Sequence, residues 1–179
     1  MKDWNTVVSV YGDGFRRAIH ALQQLAPTAR TPYYNVLAMK AEDPVHLLGV
    51  IEQKTEENPA LYDAIGRVAP AMRTFDFTSA EEFRDVSRSI LREWANRLTG
   101  LSFHARLHRR GMHSGLSAPD VEKFLDDATL EFTRTAGSPA RISFADPDAV
   151  LVFDTIDGRA GCSLWTRGDL AHHRLLRPD

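Results

Sequence analysis

Apolar and polar residues change period along this chain in a way that separates strands from helices. Asn5 to Tyr11 is a short β-branched run, and Gly12-Asp13-Gly14 turns it into a helix in which Phe15, Ala18, Ile19, Leu22 and Leu25 recur at helical spacing over 14–25. Pro27 and Pro32 bound a loop before a second strand, Tyr33 to Met39. Asp43-Pro44 caps a helix carrying Val45, Leu48 and Ile51, and Asn58-Pro59 restarts a short one through Leu61 and Ile65. Val68 to Phe77 reads as a third strand. Ser79-Ala80-Glu81-Glu82 is a capping box, in which hydroxyl and carboxylate can each satisfy an orphan backbone donor. It opens a long amphipathic helix with Phe83, Val86, Ile90, Trp94 and Leu98 inward, ended by Thr99-Gly100.

Beyond residue 100 the pattern becomes more distinctive. Phe103, Ala105 and Leu107 alternate with His104, Arg106 and His108, the period of a half-buried strand over 101–108 whose polar face is basic. Arg109-Arg110-Gly111 leaves it as a turn. Ser117 caps a helix over 118–134, with Pro119 in the first turn and Val121, Phe124, Leu125, Ala128 and Phe132 on one face. Ile142 to Phe144 is a brief extended piece, and Asp146 and Asp148 cap the turn before Ala149 to Ile156, a nearly continuous apolar run expected of a central strand covered on both faces. Asp157-Gly158 supplies hairpin chemistry, and Ala160 to Trp165 returns antiparallel. Strands alternating with helices predict an α/β (α+β) chain, with a mixed sheet and helices.

Composition mainly removes options. The 179 residues suffice for one large or two small domains, and a formal charge of -2 excludes a protein that coats nucleic acid through a uniformly basic body. Any nucleic-acid site must be local. Cys162 is the single cysteine, which excludes an intramolecular disulfide and a cysteine-rich zinc site and fits a reducing compartment. With no apolar signal segment and no apolar run long enough to span a bilayer, the expectation is a cytoplasmic protein without membrane contact.

Against this acidic background, residues 102–113 hold Arg106, Arg109, Arg110, His104, His108 and His113 and no acid. A basic strand end beside a helix N-terminus suits phosphate, so this stretch reads as an anion platform. Arg159, at the hairpin tip, can reach phosphate as well. The histidines do not form a ligand set at helix or hairpin spacing and are expected at the surface, with His172-His173 in a solvated tail; no metal site follows. Ser114-Gly115 has no paired base and acid, so no catalytic residue and no cofactor loop is expected. Trp94 and Trp165 are read as packing residues rather than stacking platforms. Gly158, Gly161 and Ser163 are read as hairpin structure.

The run Ser102 to Gly111, the helix from Ser117, Asp146-Pro147-Asp148, the strand Val150 to Asp154 and the segment Gly158 to Leu164 occur in an order that resembles a THUMP domain. The preceding part resembles the ferredoxin-like domain that commonly accompanies it. The resemblance implies residues 1–100 as a ferredoxin-like domain and 101–179 as a THUMP domain with a short C-terminal tail. It further implies binding of RNA, usually tRNA at its acceptor end, and help in delivering it to a modifying centre. Because no catalytic part is evident, the chain is most similar to the stand-alone THUMP adaptor, a non-enzyme that presents tRNA to a separate modifying enzyme. Arg106, His108, Arg109, Arg110, His113 and Arg159 are the expected RNA-binding residues, and no cofactor is expected. Two other readings remain: an adaptor whose basic patch docks an acidic protein, and a small RNA-processing enzyme using a histidine as acid and base.

Overall fold

The computed structural model describes residues 1–111 and 117–178. Its contacts divide the chain into two compact units, the first made of Met1–Thr74, Gly161–Ser163 and Asp169–Arg177, the second of Phe75–Ala160, Leu164–Gly168 and Pro178.

The first unit runs β1 (Thr6–Val10), α1 (Phe15–Gln23), β2 (Thr28–Arg30), β3 (Val36–Met39), α2 (Pro44–Glu57), α3 (Pro59–Tyr62) and β4 (Ile65–Pro70). The strands pair antiparallel in the order β2-β3-β1-β4, with Ser9 opposite Val36 on one side of β1 and Val10 opposite Ile65 on the other. This is the β-α-β-β-α-β order of a split β-α-β unit. Asp43 caps α2 as its sequence predicts, accepting from Val45 and His46 N–H at 2.9 Å. Leu22 of α1 and Leu48 and Ile51 of α2 are fully buried together with Val8, Leu37 and Met39 of the sheet.

Three expectations change here. The loop between Pro27 and Pro32 contains β2, a three-residue edge strand too short to show a period; prolines at its margins are compatible with an edge. The run 68–77 is not one strand. It divides at Ala71-Met72 into β4 and β5 (Arg73–Asp76), which belong to different sheets, because Ala71 N–H is taken by Asn5 and Met72 N–H by Cys162. The C-terminal segment is not a solvated tail either. α6 (Arg167–His172) leads into residues that pack in the first unit, with Leu175 and Leu176 buried and Leu175 carbonyl accepting from Val68 N–H. Glu52 of α2 takes both the His173 Nδ1 proton at 2.8 Å and Leu175 N–H at 3.0 Å.

The second unit contains α4 (Ala80–Trp94), β6 (Ser102–His108), α5 (Ala118–Thr135), β7 (Arg141–Ile142), β8 (Ala149–Ile156) and both ends of β9 (Arg159–Thr166). Its sheet has the order β5-β9-β8-β6-β7, with β6 parallel to both neighbours. Every residue of β8 is buried, as its continuous apolar run predicts. Ser79 caps α4 by accepting from Glu82 N–H at 3.1 Å, while the Glu82 carboxylate reaches one residue further out than the capping-box pattern, to Thr78 N–H at 2.7 Å. α4 lies on α5, so the break expected at residue 100 falls inside this unit. Trp94 and Trp165 are both buried. The observed α/β architecture is the class that the sequence predicts, and its mixed second sheet and covering helices agree with a THUMP-type fold. Among the described residues, no helix is long and apolar enough to cross a membrane.

Candidate nucleic-acid interface

β6 is where alternation misleads. A strand with one polar face should expose that face, yet β6 lies inside the sheet and only its last residues reach solvent. β7 covers β6 only at Ser102 and Phe103. Further along, the N–H groups of Ala105 and Leu107 point to an edge that carries no strand among the described residues. Two carboxylates of α5 take its place: Asp126 accepts from Ala105 at 2.9 Å and Glu122 from Leu107 at 2.8 Å. Two residues of strand and four of helix advance by nearly the same length, about 6–7 Å, so acids spaced i, i+4 match donors spaced i, i+2. Burial pushes the Asp126 carboxyl up to about 6, against the Ala105 hydrogen bond, with Glu122 and Asp127 adding to the rise.

The same helix answers the basic face. Glu122 lies 3.9 Å from Arg106, whose side chain is about one-third exposed at 32%. His104 is buried at 1% exposure, its Nδ1 donating to Ser143 carbonyl at 2.8 Å and its ring 5.4 Å from Phe144, which corrects the expectation of a surface histidine. His108 donates from Nε2 to Pro178 carbonyl at 2.9 Å. Arg110 is a framework residue: its guanidinium holds Asp154 at 2.9 Å with both side chains largely buried, and its peptide is hydrogen-bonded to Thr155 and Asp157. Arg159 is paired with Asp76 at 2.8 Å. Arg109 is exposed and has no partner among the described residues. His113 lies outside the described residues.

The platform read from sequence therefore separates into an inner ionic framework and a small outer part. Its base is well anchored. Asp148 accepts from Ser102 N–H at 2.8 Å and from Ser102 Oγ at 2.7 Å, bonds that hold its carboxyl below the usual carboxylate range, and Arg167 lies 3.2 Å from its other oxygen. Ser117 caps α5 through Asp120 N–H at 3.3 Å.

A second set of cations went unread. Arg84, Arg88 and Arg92 follow one another at i, i+4, i+8 on α4, and their guanidiniums lie over α5 rings: Arg84 at 5.9 Å from Phe124, Arg88 and Arg92 at 5.0 and 5.1 Å from Phe132. Arg88 also contacts both oxygens of Glu131 at 3.1 Å. The four-residue repeat was the available signal.

No family model matches the sequence, and no curated protein matches it. Solved structures do share the fold. PH1313 from Pyrococcus horikoshii Ot3 aligns over 90% of this chain and 54% of its own at 12% identity, with a TM-score of 0.56. A possible methylase from Clostridium difficile 630 aligns over 92% and 42% at 16% identity and a TM-score of 0.54. A 4-thiouridine synthetase, solved in complex with RNA and ATP, aligns over 92% and 42% at 10% identity and a TM-score of 0.54. The chain spans about half the length of these structures.

These matches overturn the expectation of a protein without catalysis, because the fold occurs within a possible methylase and a 4-thiouridine synthetase. Motif absence in 179 residues was the wrong evidence for that expectation: chains of about twice the length carry this architecture alongside further residues.

Proposed function

We propose that this chain is a THUMP-type RNA-binding segment that serves tRNA modification, binding the acceptor end of tRNA and delivering it to a modifying centre on the same or a partner polypeptide. The observation that carries this reading is the fold shared over 92% of the chain with a 4-thiouridine synthetase solved with RNA. The strand order β2-β3-β1-β4 supports a ferredoxin-like assignment for the first unit.

In this reading the predicted residues divide by role. Arg109 places its guanidinium on phosphate, with Arg106, His108 and Arg159 alongside. Arg110, through Asp154 and Thr155, holds the backbone from which Arg109 projects. Guanidinium–phosphate contacts fix position without reading sequence, so selectivity comes from RNA shape and an unpaired end. Titrating tRNA against the full chain over a series of salt concentrations tests the assignment. The expected result is saturable binding whose salt slope falls by about 0.7 in Arg109→Ala, the loss of one single-strand phosphate contact. Absence of tRNA binding by the folded chain would refute the reading.

A further inference from the structure

The tryptophans and most of the phenylalanines of this chain are buried or half-buried, with Phe144 exposed at 62%. Trp4, Trp94 and Trp165 are buried, as are Phe83, Phe103 and Phe153. All four tyrosines instead stand at one end of the first unit's sheet. Tyr11 follows β1, Tyr33 and Tyr34 precede β3, and Tyr62 ends α3 just before β4. The antiparallel register brings these positions together: Val10 N–H bonds Asn35 carbonyl at 2.9 Å, and Tyr11 N–H bonds Ala64 carbonyl at 2.9 Å.

Two of these rings are exposed, Tyr34 at 86% and Tyr11 at 51%. Tyr34 lies within the turn that Val36 N–H closes onto Tyr33 carbonyl, where small polar residues would form the same turn without exposing an aromatic ring. The backbone also leaves room for the rings. The Tyr34 hydroxyl is 2.7 Å from where a Cβ on Gly12 would stand, whereas a Cβ on Gly66 would meet the Tyr11 ring in ordinary contact at 3.5 Å. A side chain at Gly12 would displace Tyr34.

Arginines border the same end. Arg177 donates to Tyr62 Oη and to Gly66 carbonyl, both at 2.9 Å, and Arg30 at the end of β2 lies 4.9 Å from the Phe15 ring. Arg17 in the first turn of α1 donates to Ala60 carbonyl at 3.0 Å. The exposed acids nearest in sequence are Asp13 and Asp63. Exposed flat rings beside guanidiniums form a surface on which unpaired bases stack while the cations meet the phosphates.

We infer that this end of the first unit is a single-stranded RNA site in which Tyr34 and Tyr11 stack unpaired bases. The inference rests on the RNA-binding reading above but uses a different unit and different residues. The site tolerates any base, because every base offers a π-face, and it does not take duplex RNA, whose bases are already stacked.

The test uses the full chain with a fluorescently labelled ten-nucleotide oligouridylate, a labelled ten-base-pair RNA duplex and tRNA, read by anisotropy. Tyr34→Ala and Tyr11→Ala should each weaken oligouridylate binding about fivefold or more, while Tyr34→Phe, which keeps the ring, stays within about twofold of the original. Duplex binding should not change in any of them. Thermal melting followed by circular dichroism should match the original protein, since both rings are exposed. Oligouridylate binding undiminished in the folded Tyr11→Ala/Tyr34→Ala double variant would overturn the inference. If Arg109→Ala still weakened tRNA binding, the proposed function would stand without it. A chain that bound neither oligouridylate nor tRNA would remove both, and would leave the tyrosines to a protein partner.

Discussion

The basic run of the second unit and the tyrosine end of the first reverse what their sequences suggest. The run 102–110 is conspicuous in sequence, yet its polar groups are largely answered from within: Arg110 by Asp154, Arg106 by Glu122, and the buried His104 ring by the Ser143 carbonyl. The tyrosines are spread over 52 positions of sequence, from 11 to 62, and attract no notice, yet the fold gathers them and leaves two rings open. Local charge density is therefore a poor guide to an interface when the neutralising acids come from other elements. Exposure of costly side chains is a better one.

The largest effect should come from the framework side of this contrast. Asp154→Ala leaves the Arg110 guanidinium buried without its carboxylate, and should lower the stability of the chain by about 3 kcal/mol in urea denaturation, in the range for breaking a buried pair. Arg110→Ala should approach the same loss. If either changed stability by less than about 0.5 kcal/mol, Arg110 would belong with Arg109 as a surface cation and the division of the run would fail.

Next comes the pair of acids that replaces a strand beside β6. Asp126 titrates near 6 in the folded chain, above the ordinary aspartate value of 3.8, so the native state holds more protons than the unfolded state between those values. Its contribution to stability is greatest below about pH 4 and is lost as the pH rises through 6. Asp126→Asn keeps an oxygen for Ala105 N–H and removes the charge, so it should flatten this part of the pH profile and stabilise the chain at pH 7 relative to the original. A profile in which the original protein gains stability from pH 4 to pH 6 while Asp126→Asn matches it would show that the carboxylate is not held in a desolvated site.

How much of this was legible follows from sequence distance. The caps at Asp43, Ser79 and Ser117, the buried strand β8 and its hairpin are written within a few residues, where spacing and turn chemistry speak directly. The polar partners are not. Arg110 and Asp154 are 44 residues apart, Asp76 and Arg159 are 83, and Glu52 and His173 are 121. A solvated-tail reading of His172-His173 had no access to Glu52, and an alternating strand had no means of announcing that α5 would cover its open edge. β4 and β5 read as one strand for a related reason: the break is imposed by Asn5 and Cys162, not by residues 71–72 themselves.

Arg109 carries the smaller, surface side of the comparison. Arg109→Ala should leave stability within about 0.5 kcal/mol and weaken tRNA binding by about 1 kcal/mol, or fivefold, as a single exposed phosphate contact. Equal losses of stability and affinity would mean that it supports the framework instead.

The smallest expected effect separates charge from packing in the arginine row of α4. Arg88 meets both Glu131 oxygens at 3.1 Å, but the pair is half open to solvent, with side-chain exposures of 35% and 56%, and such pairs contribute no more than about 0.5 kcal/mol. Arg88 also covers the Phe132 ring at 5.0 Å, a contact that survives removal of the acid. Glu131→Gln should therefore cost less than about 0.5 kcal/mol at low salt and nothing measurable in 1 M NaCl, where the screening length is about 3 Å. Arg88→Ala should cost about 1 kcal/mol and keep most of that loss in salt. Urea denaturation of both variants at the two salt concentrations reads the difference. A loss in Arg88→Ala that disappeared with salt would mean that the arginine row is held by charge alone and that its position over the α5 rings contributes nothing.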